Sequence, residues 1–282
     1  MTAAHGPAAV GVPGNGVPGA RPRGPVVVCT DRSAAGDRAV RWAAAAARRA
    51  RTALHVVTAE PPQAGAPAGR RAGFAAACAA DRSAGAGALV VPATLPDVEA
   101  VVAGSSCPVV VVPDRVPDDE RGPVVLAVAP WTGDDAIALA FAEAAGHRAP
   151  LLAVRAWSEP GIDLGRPRAD RIARWDRCAE RARRELAARL APWRAAHPGV
   201  EVRVEAVDDP AAGELLAALS QRARTVVVGR PRPAERVRGA PPLGSRWGSP
   251  VAALLRATGC PVLVVPPAQP PHAARRVEGS RS

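Results

Sequence analysis

The sequence predicts an α/β protein built as two tandem, doubly wound parallel sheets of Rossmann-like type, the first cut short. Three observations carry this reading. Short runs that are apolar at every residue, PVVVCT at 25–30, PVVLAVA at 123–129 and TVVVG at 225–229, alternate with helical periodicities. Such runs are strands buried on both faces, and their alternation with helices implies right-handed crossovers and a parallel sheet. The chain also repeats itself. GPVVVCTDRS from Gly24 answers GPVVLAVAPW from Gly122, and CPVVVVP from Cys107 answers CPVLVVP from Cys260. Finally, the repeats start 98 residues apart (122 − 24) and end 153 apart (260 − 107), so the second is about 55 residues longer.

These landmarks divide the 282 residues. Residues 1–24 and 267–282 are rich in Gly, Pro and Arg without apolar periodicity, and read as disordered tails. The first repeat covers 25–113. The acidic, proline-containing DRVPDDERG at 114–122 reads as a linker, and the complete second repeat covers 123–266.

The second repeat parses element by element. After the strand at 123–129, Thr132 offers an N-cap to a helix with the stripe Ile137, Ala140, Phe141 and Ala144. PLLAVRAW at 150–157 is the next strand. A long helix over 170–194 carries the stripe Ile172, Trp175, Ala179, Ala182, Leu186, Leu190 and Trp193, stepping by three and four. VEVRVEAV at 200–207 alternates as a strand. Asp209–Pro210 then reads as a cap and first-turn proline for a helix through Leu219, and Ser249–Pro250 as the same device for a helix to about Thr258. TVVVG and PVLVV (261–265) are buried strands. The first repeat keeps PVVVCT, a helix from about Gly36 to Arg49, ALHVVTA (53–59), GALVVP (87–92), a helix near 96–104 and PVVVV (108–112). Only 27 residues separate Ala59 from Gly87, room for a helix near 74–82 and no further strand, so a four-stranded sheet is expected. The short apolar closing strands, PVVVV and PVLVV, would expose unpaired backbone as edges. They are expected to pair with each other inside the chain or with a second copy in a homodimer.

Composition narrows the chemistry. The net charge is +11 and all 37 basic residues are Arg; the chain holds no Lys and no Tyr. Schiff-base lysine chemistry and lysine-dependent phosphate loops are thereby excluded. Arg suits anionic partners through its bidentate fork, yet a GC-rich coding bias gives the same excess. Aromatic residues are 3% of the chain, too sparse for a stacking platform, which speaks against nucleic acid. Ten Arg face four acids over 166–194, but Asp170–Arg174, Glu180–Arg184 and Glu185–Arg189 are spaced as i,i+4 pairs of a solvated face. Five Cys at 29, 78, 107, 178 and 260 include no C-x-x-C, which argues against a disulfide framework or zinc site and for a reducing cytosol. Cys107 and Cys260 hold equivalent places and read as small buried hydrophobes. No run approaches a membrane span and the N-terminus shows no signal peptide, so a cytoplasmic protein is expected. His55, His147 and His197 lack partners at catalytic or metal spacing and read as structural, so no enzyme activity and no metal are expected.

Several segments together resemble the universal stress protein family. PVVVCTDRSAAGDRAVRWAAAAA is similar to that family's first strand, its Asp and its first helix. APLLAVRAW, DDPAAGELLAALSQRARTVVVGR and GSPVAALLRATGCPVLVVP are similar to its second strand, its third helix with fourth strand, and its closing helix with fifth strand. The resemblance covers nearly all of 25–266. It implies a cytoplasmic, dimeric, non-enzymatic stress-response protein, many relatives of which bind ATP.

The family's ATP-binding members carry an Asp after the first strand. After the fourth they carry a Gly, two residues, a Gly, nine residues and Gly-Ser. In the second repeat Gly229 matches the first Gly, Arg232 stands at the second, and Gly248-Ser249 matches the close, with Gly244-Ser245 a competing match. The Asp position falls on Ala129. In the first repeat Asp31 fits, but Pro92 replaces the first Gly and the glycine loop is missing. The resemblance therefore points to adenine nucleotide binding, ATP foremost, in the second repeat alone, through Gly229, Arg230, Gly248 and Ser249. Gly229 would let backbone approach a phosphate, Gly248 and Ser249 would place it at a helix N-terminus, and Arg230 with Arg232, Arg236 and Arg238 would add charge. The plainer reading makes Gly229 a turn, Ser249 an N-cap and the Arg residues a solvated loop. A nucleotide-free scaffold working through protein contacts, and an Arg-driven nucleic-acid binder, are the alternatives. Asp31 reads as a cap or turn former.

Overall fold

The structure, a computed structural model, describes residues 24–58, 83, 85–96, 98–114, 122–157, 168–208, 211–231 and 249–267. The tails, the linker residues 115–121, the helix expected near 74–82 and the loop 232–248 lie outside them. The first half runs β1 (Val26–Thr30), α1 (Ala34–Ala50), β2 (Leu54–Thr58), β3 (Ala88–Pro92), α2 (Val98–Gly104) and β4 (Val109–Val112). The second runs β5 (Val124–Ala127), α3 (Asp134–His147), β6 (Leu151–Trp157), α4 (Arg168–Ala196) and β7 (Val202–Asp208). It continues with α5 (Ala212–Ser220), β8 (Thr225–Gly229), α6 (Ser249–Ala257) and β9 (Val262–Val265).

All nine described strands join one sheet in the order β2-β1-β3-β4-β9-β8-β5-β6-β7. Neighbours are parallel within each half. The halves meet antiparallel at β4 and β9, with Val109 opposite Val264, Val110 opposite Leu263 and Val111 opposite Val262. The two closing strands thus pair inside the chain. Successive residues of a strand face opposite sides, so each strand feeds two cores. On one face Val28, Leu126 and Leu263 meet Ala39, Ala43 and Ala47 of α1, Ile137 and Phe141 of α3, and Leu186, Leu190 and Trp193 of α4. On the other, Val27, Val91, Val226 and Val264 meet Val101 of α2, Leu216 of α5 and Leu254 of α6. Each core draws on both halves. An ion pair between Arg49 of α1 and Glu143 of α3, 3.9 Å apart, also spans them.

The expected helix starts are corrected at three places. The Ser33 hydroxyl caps α1 by accepting the Gly36 N–H at 3.1 Å. The N-cap of α3 is Gly133, with no side-chain bond, and not Thr132. The two N-caps stand 133 − 33 = 100 residues apart, against 98 for the strands, so the turn after β5 is two residues longer than the turn after β1. Thr132 belongs to that longer turn. Ala211 precedes α5 without a side-chain cap, while Asp209 and Pro210 lie outside the described residues. The stripe of α4 is also only partly core. Ala179, Ala182, Leu186, Leu190 and Trp193 are buried, but Ile172 is 52% and Trp175 41% exposed. A helix of 29 residues runs roughly 44 Å, whereas the seven-residue β7 spans about 23 Å, so the first turns of α4 pass beyond the sheet. There the Trp175 indole donates to the exposed Asp208 carboxylate at 2.6 Å.

Cys107 and Cys260 occupy matching sites before β4 and β9, each thiol 3.6 Å from the following proline carbonyl. Burial pushes Cys107 up to about 11 and Cys260 up to about 12. These thiols hold their protons more tightly folded than unfolded. Their contribution is complete below about pH 9 and is lost as pH rises through the folded values. The chain holds no Lys and no Tyr to titrate in that range. Stability to urea is expected to stay flat from pH 7 to 9 and fall by several kcal/mol towards pH 12, at about 1.4 kcal/mol per unit shift for each thiol. Cys107→Ala/Cys260→Ala should flatten the profile; an unchanged slope in that variant would refute the assignment.

β9 is an inner strand, since Val264 lies opposite Val109 on one side and Val228 on the other. Val264→Pro removes a backbone donor between two neighbours. The unfolding midpoint in urea is expected to drop, with a cost of about 1–3 kcal/mol for the lost bond alone. A midpoint equal to wild type would contradict the observed join.

Candidate functional site

In a doubly wound sheet, ligands sit past the carboxyl ends of the strands, where the strand order reverses. In the second half the chain moves outward from β5 through β6 to β7, then returns to β8 and continues to β9, so the reversal lies between β5 and β8. Gly229 ends β8 there. A Cβ added to it would stand 3.1 Å from the Thr132 Cα and 3.4 Å from its hydroxyl. Its φ lies outside the left-handed region; among the described glycines only Gly24 and Gly85 have positive φ. Gly229 is thus required by close approach and not by backbone conformation.

The turn leaving β5 forms the other wall. The Thr132 hydroxyl accepts the Ala129 N–H at 2.9 Å, and the Thr132 N–H returns to the Ala129 carbonyl at 3.0 Å. Arg189 reaches this turn from α4. Its guanidinium donates to the Thr132 carbonyl and, at 3.4 Å, to the Ala129 carbonyl. The expected Glu185–Arg189 pair is therefore corrected. Glu185 is held by Arg181 at 2.8 Å and Arg155 at 2.9 Å, and these partners keep its carboxyl below the usual range. Arg189 is the site residue that sequence reasoning missed. Its one signal was its place beside Leu190 and three residues after Leu186, on the margin of the buried stripe. Glu180–Arg184 is observed as expected, at 3.8 Å.

Arg230 differs from expectation. Its N–H donates to the Val265 carbonyl at 2.7 Å, and its guanidinium donates to the Val102 carbonyl and, at 2.7 Å, to the Ala103 carbonyl. Those carbonyls end α2, whose helix dipole favours a cation there. A side chain expected to face phosphates is thus committed to the first half, and burial draws its guanidinium below the usual value. Ser249 opens α6, with its backbone in the first turn. Gly248, Gly244-Ser245, Arg232, Arg236 and Arg238 lie outside the described residues.

The matching reversal in the first half, between β1 and β3, is built differently. Asp31 is a turn former: its carboxylate accepts the Ser33 N–H at 3.0 Å, and hydrogen bonding from the Ser33 hydroxyl first, with that N–H beside it, holds it below the usual range. The Thr30 hydroxyl accepts the Arg32 N–H at 3.1 Å, with Arg32 at φ 61°. A Cβ on Gly36 would stand 2.3 Å from that hydroxyl, so α1 presses onto the end of β1. Buried Pro92 occupies the place of Gly229. Three of the histidines lie among the described residues. His55 is exposed on β2, His147 lies 3.4 Å from Glu143 and 3.0 Å from Arg224, and His197 stacks on Phe141. Among the described residues no group of three or more His, Cys, Asp or Glu is placed to hold a metal, and no helix is long and apolar enough to cross a membrane.

The fold is thus a doubly wound α/β pair whose two reversal points differ, one lined by Gly229 and one by Pro92. The model of the universal stress protein family matches residues 22–98 and 121–266, and the chain belongs to that family. Universal stress proteins of two Mycobacterium tuberculosis strains are each 34% identical over 134 residues, which is 44% of this chain and 41% of theirs. The chain therefore matches less than half the length of these curated relatives. A solved universal stress protein of Archaeoglobus fulgidus is 17% identical with a TM-score of 0.49, over 87% of this chain and 97% of that one. Another solved universal stress protein, in complex with cAMP, is 18% identical with a TM-score of 0.33, over 52% of this chain and 99% of that one.

Arg230→Met should release the last turn of α2. Losing bonds from a charged donor to two carbonyls costs about 1–3 kcal/mol. Hydrogen exchange over 98–104 is expected to quicken while β6 and β7 stay protected. Unaltered exchange in α2 would show that the contact does not hold the halves together.

Proposed function

We propose that this universal stress protein is a non-enzymatic, cytoplasmic stress-response regulator. Its second repeat, 123–266, binds one adenine nucleotide, ATP foremost, chiefly through the phosphates. The first repeat, 25–113, is degenerate and binds none. The observation that carries this reading is Gly229 set against Thr132 at the reversal between β5 and β8. A side chain at 229 would press on Thr132 and displace the turn that borders the proposed phosphate position. Ser249 at the start of α6, with Gly248 before it, supplies the helix N-terminus, although Pro250 removes one donor. With Ala129 where the family carries Asp, a ribose contact is lost. One polar contact is worth about 1–3 kcal/mol, roughly ten- to a hundredfold in affinity, so binding is weak. Gly229, Thr132, Ala129 and Arg189 include no general base, so ATP is held and not turned over.

Titration calorimetry tests this. Wild type should bind one ATP per chain, and Gly229→Val should bind none; because its added Cβ presses on Thr132, urea unfolding of the variant is measured alongside to show that it is folded. Hydrolysis should remain at background. A second site per chain, or wild-type affinity in Gly229→Val, would overturn the reading in favour of a nucleotide-free scaffold.

A further inference from the structure

On one face of the sheet the seam runs between two helices. α1 packs chiefly on β1 and β3, and α3 on β5 and β8, so β4 and β9 lie between them. Small side chains line both walls of this gap, Ala46 from α1 and Ala142 from α3, joined by the larger Trp42 and Leu139. Alanine reaches only one carbon from the backbone, so the walls do not close. What remains is a cavity of about 1030 Å³, lined also by Val110 and Leu263, which oppose each other in the β4–β9 ladder. Ala129, Thr132, Arg189 and Gly229 do not line it, so it is separate from the β5–β8 crevice.

The lining is mostly apolar, and several of its polar groups are already engaged. The Thr52 hydroxyl donates to the Gly24 carbonyl at 2.9 Å, and the Ser106 hydroxyl bonds to that of Ser83 at 3.1 Å. Arg49 pairs with Glu143 at 3.9 Å and lies 6.0 Å from the centre of the Trp42 ring. The charged side chains at the cavity are Arg49, Glu143 and Asp135, one cation against two carboxylates, so an anion meets no net attraction there. Clefts of about 300–1,000 Å³ take small organic molecules, and this one stands at the top of that range. The Arg49–Glu143 pair joins α1 to α3 across the gap, so a helix, about 10 Å wide with its side chains, would have to break it to enter. A small molecule would not. We propose that this cavity is a binding site for an uncharged, chiefly apolar small molecule, packed between Trp42 and Leu139 over the seam.

The test titrates the full chain with Nile red, an uncharged apolar dye, and with anilinonaphthalene sulfonate, an anionic one. Nile red is expected to bind saturably, one per chain, with blue-shifted emission, and about tenfold or more tighter than the sulfonate. Ala46→Phe and Ala142→Trp fill the cavity from opposite walls, and each should weaken Nile red by about tenfold or more. Both positions are half-buried, and urea unfolding of each variant is measured alongside to show that it is folded. A second measurement needs no variant: saturating Nile red should slow hydrogen exchange in α1 and α3 of wild type. Gly229→Val should keep the dye. Binding that does not saturate, tighter binding of the sulfonate, or unchanged exchange in both helices would overturn the assignment. So would full affinity for Nile red in the folded filled variants. Loss of the dye in Gly229→Val would move it to the β5–β8 crevice and overturn the assignment as well.

Discussion

The antiparallel ladder between β4 and β9 is the constraint on which the other parts depend. Each of these strands is four residues of Val or Leu, buried throughout. Left at an edge, such a strand would present open backbone donors on an apolar surface and template association. Pairing them inside one chain removes both edges at once and turns two sheets into one of nine strands. It also makes the two hydrophobic cores common property, since α1 and α3 lie over the same face and α2 and α6 over the other. The outer edges that remain are β2 and β7. On β7, alternating exposed residues such as Arg203 and Glu205 guard the backbone. On β2, the shortened first half leaves Val56 at 53% exposure.

Much of this architecture was legible because the inner strands are largely apolar runs of strand length bounded by turn residues, and the repeat of PVVV and PVLV runs pointed to the pseudo-two-fold. What was not legible is non-local. A cap is read from a residue and the helix that follows it, so a two-residue insertion in the turn after β5 moved the N-cap to Gly133 without leaving a mark on Thr132. The stripe of α4 is continuous in sequence, but burial of Ile172 and Trp175 depends on where the sheet ends. Arg189 lies 57 residues from Thr132, and Arg230 lies 128 residues from Val102. No periodicity encodes partners that far apart. At the candidate site the sequence therefore pointed to Gly229 and not to the guanidinium that holds the turn packed against it.

The two reversal points show how the halves have diverged under one fold. In the first, Gly36 lets α1 press onto Thr30, and Pro92 stands where β8 has Gly229. In the second, the longer turn closes on itself through Thr132, which packs on Gly229, and is held from outside by Arg189. The first half supplies β4 and α2 to the shared sheet and cores, and the residues of the ladder face those two cores and not the reversal points.

The remaining link is a single peptide. Gly229 faces Thr132, and the next residue, Arg230, is anchored twice: by its N–H to Val265 at the end of β9 and by its guanidinium to the last carbonyls of α2. One planar peptide therefore joins the residue that packs on Thr132 to the residue that holds the last turn of α2. That side chain crosses the same β4–β9 seam that makes the two halves one molecule.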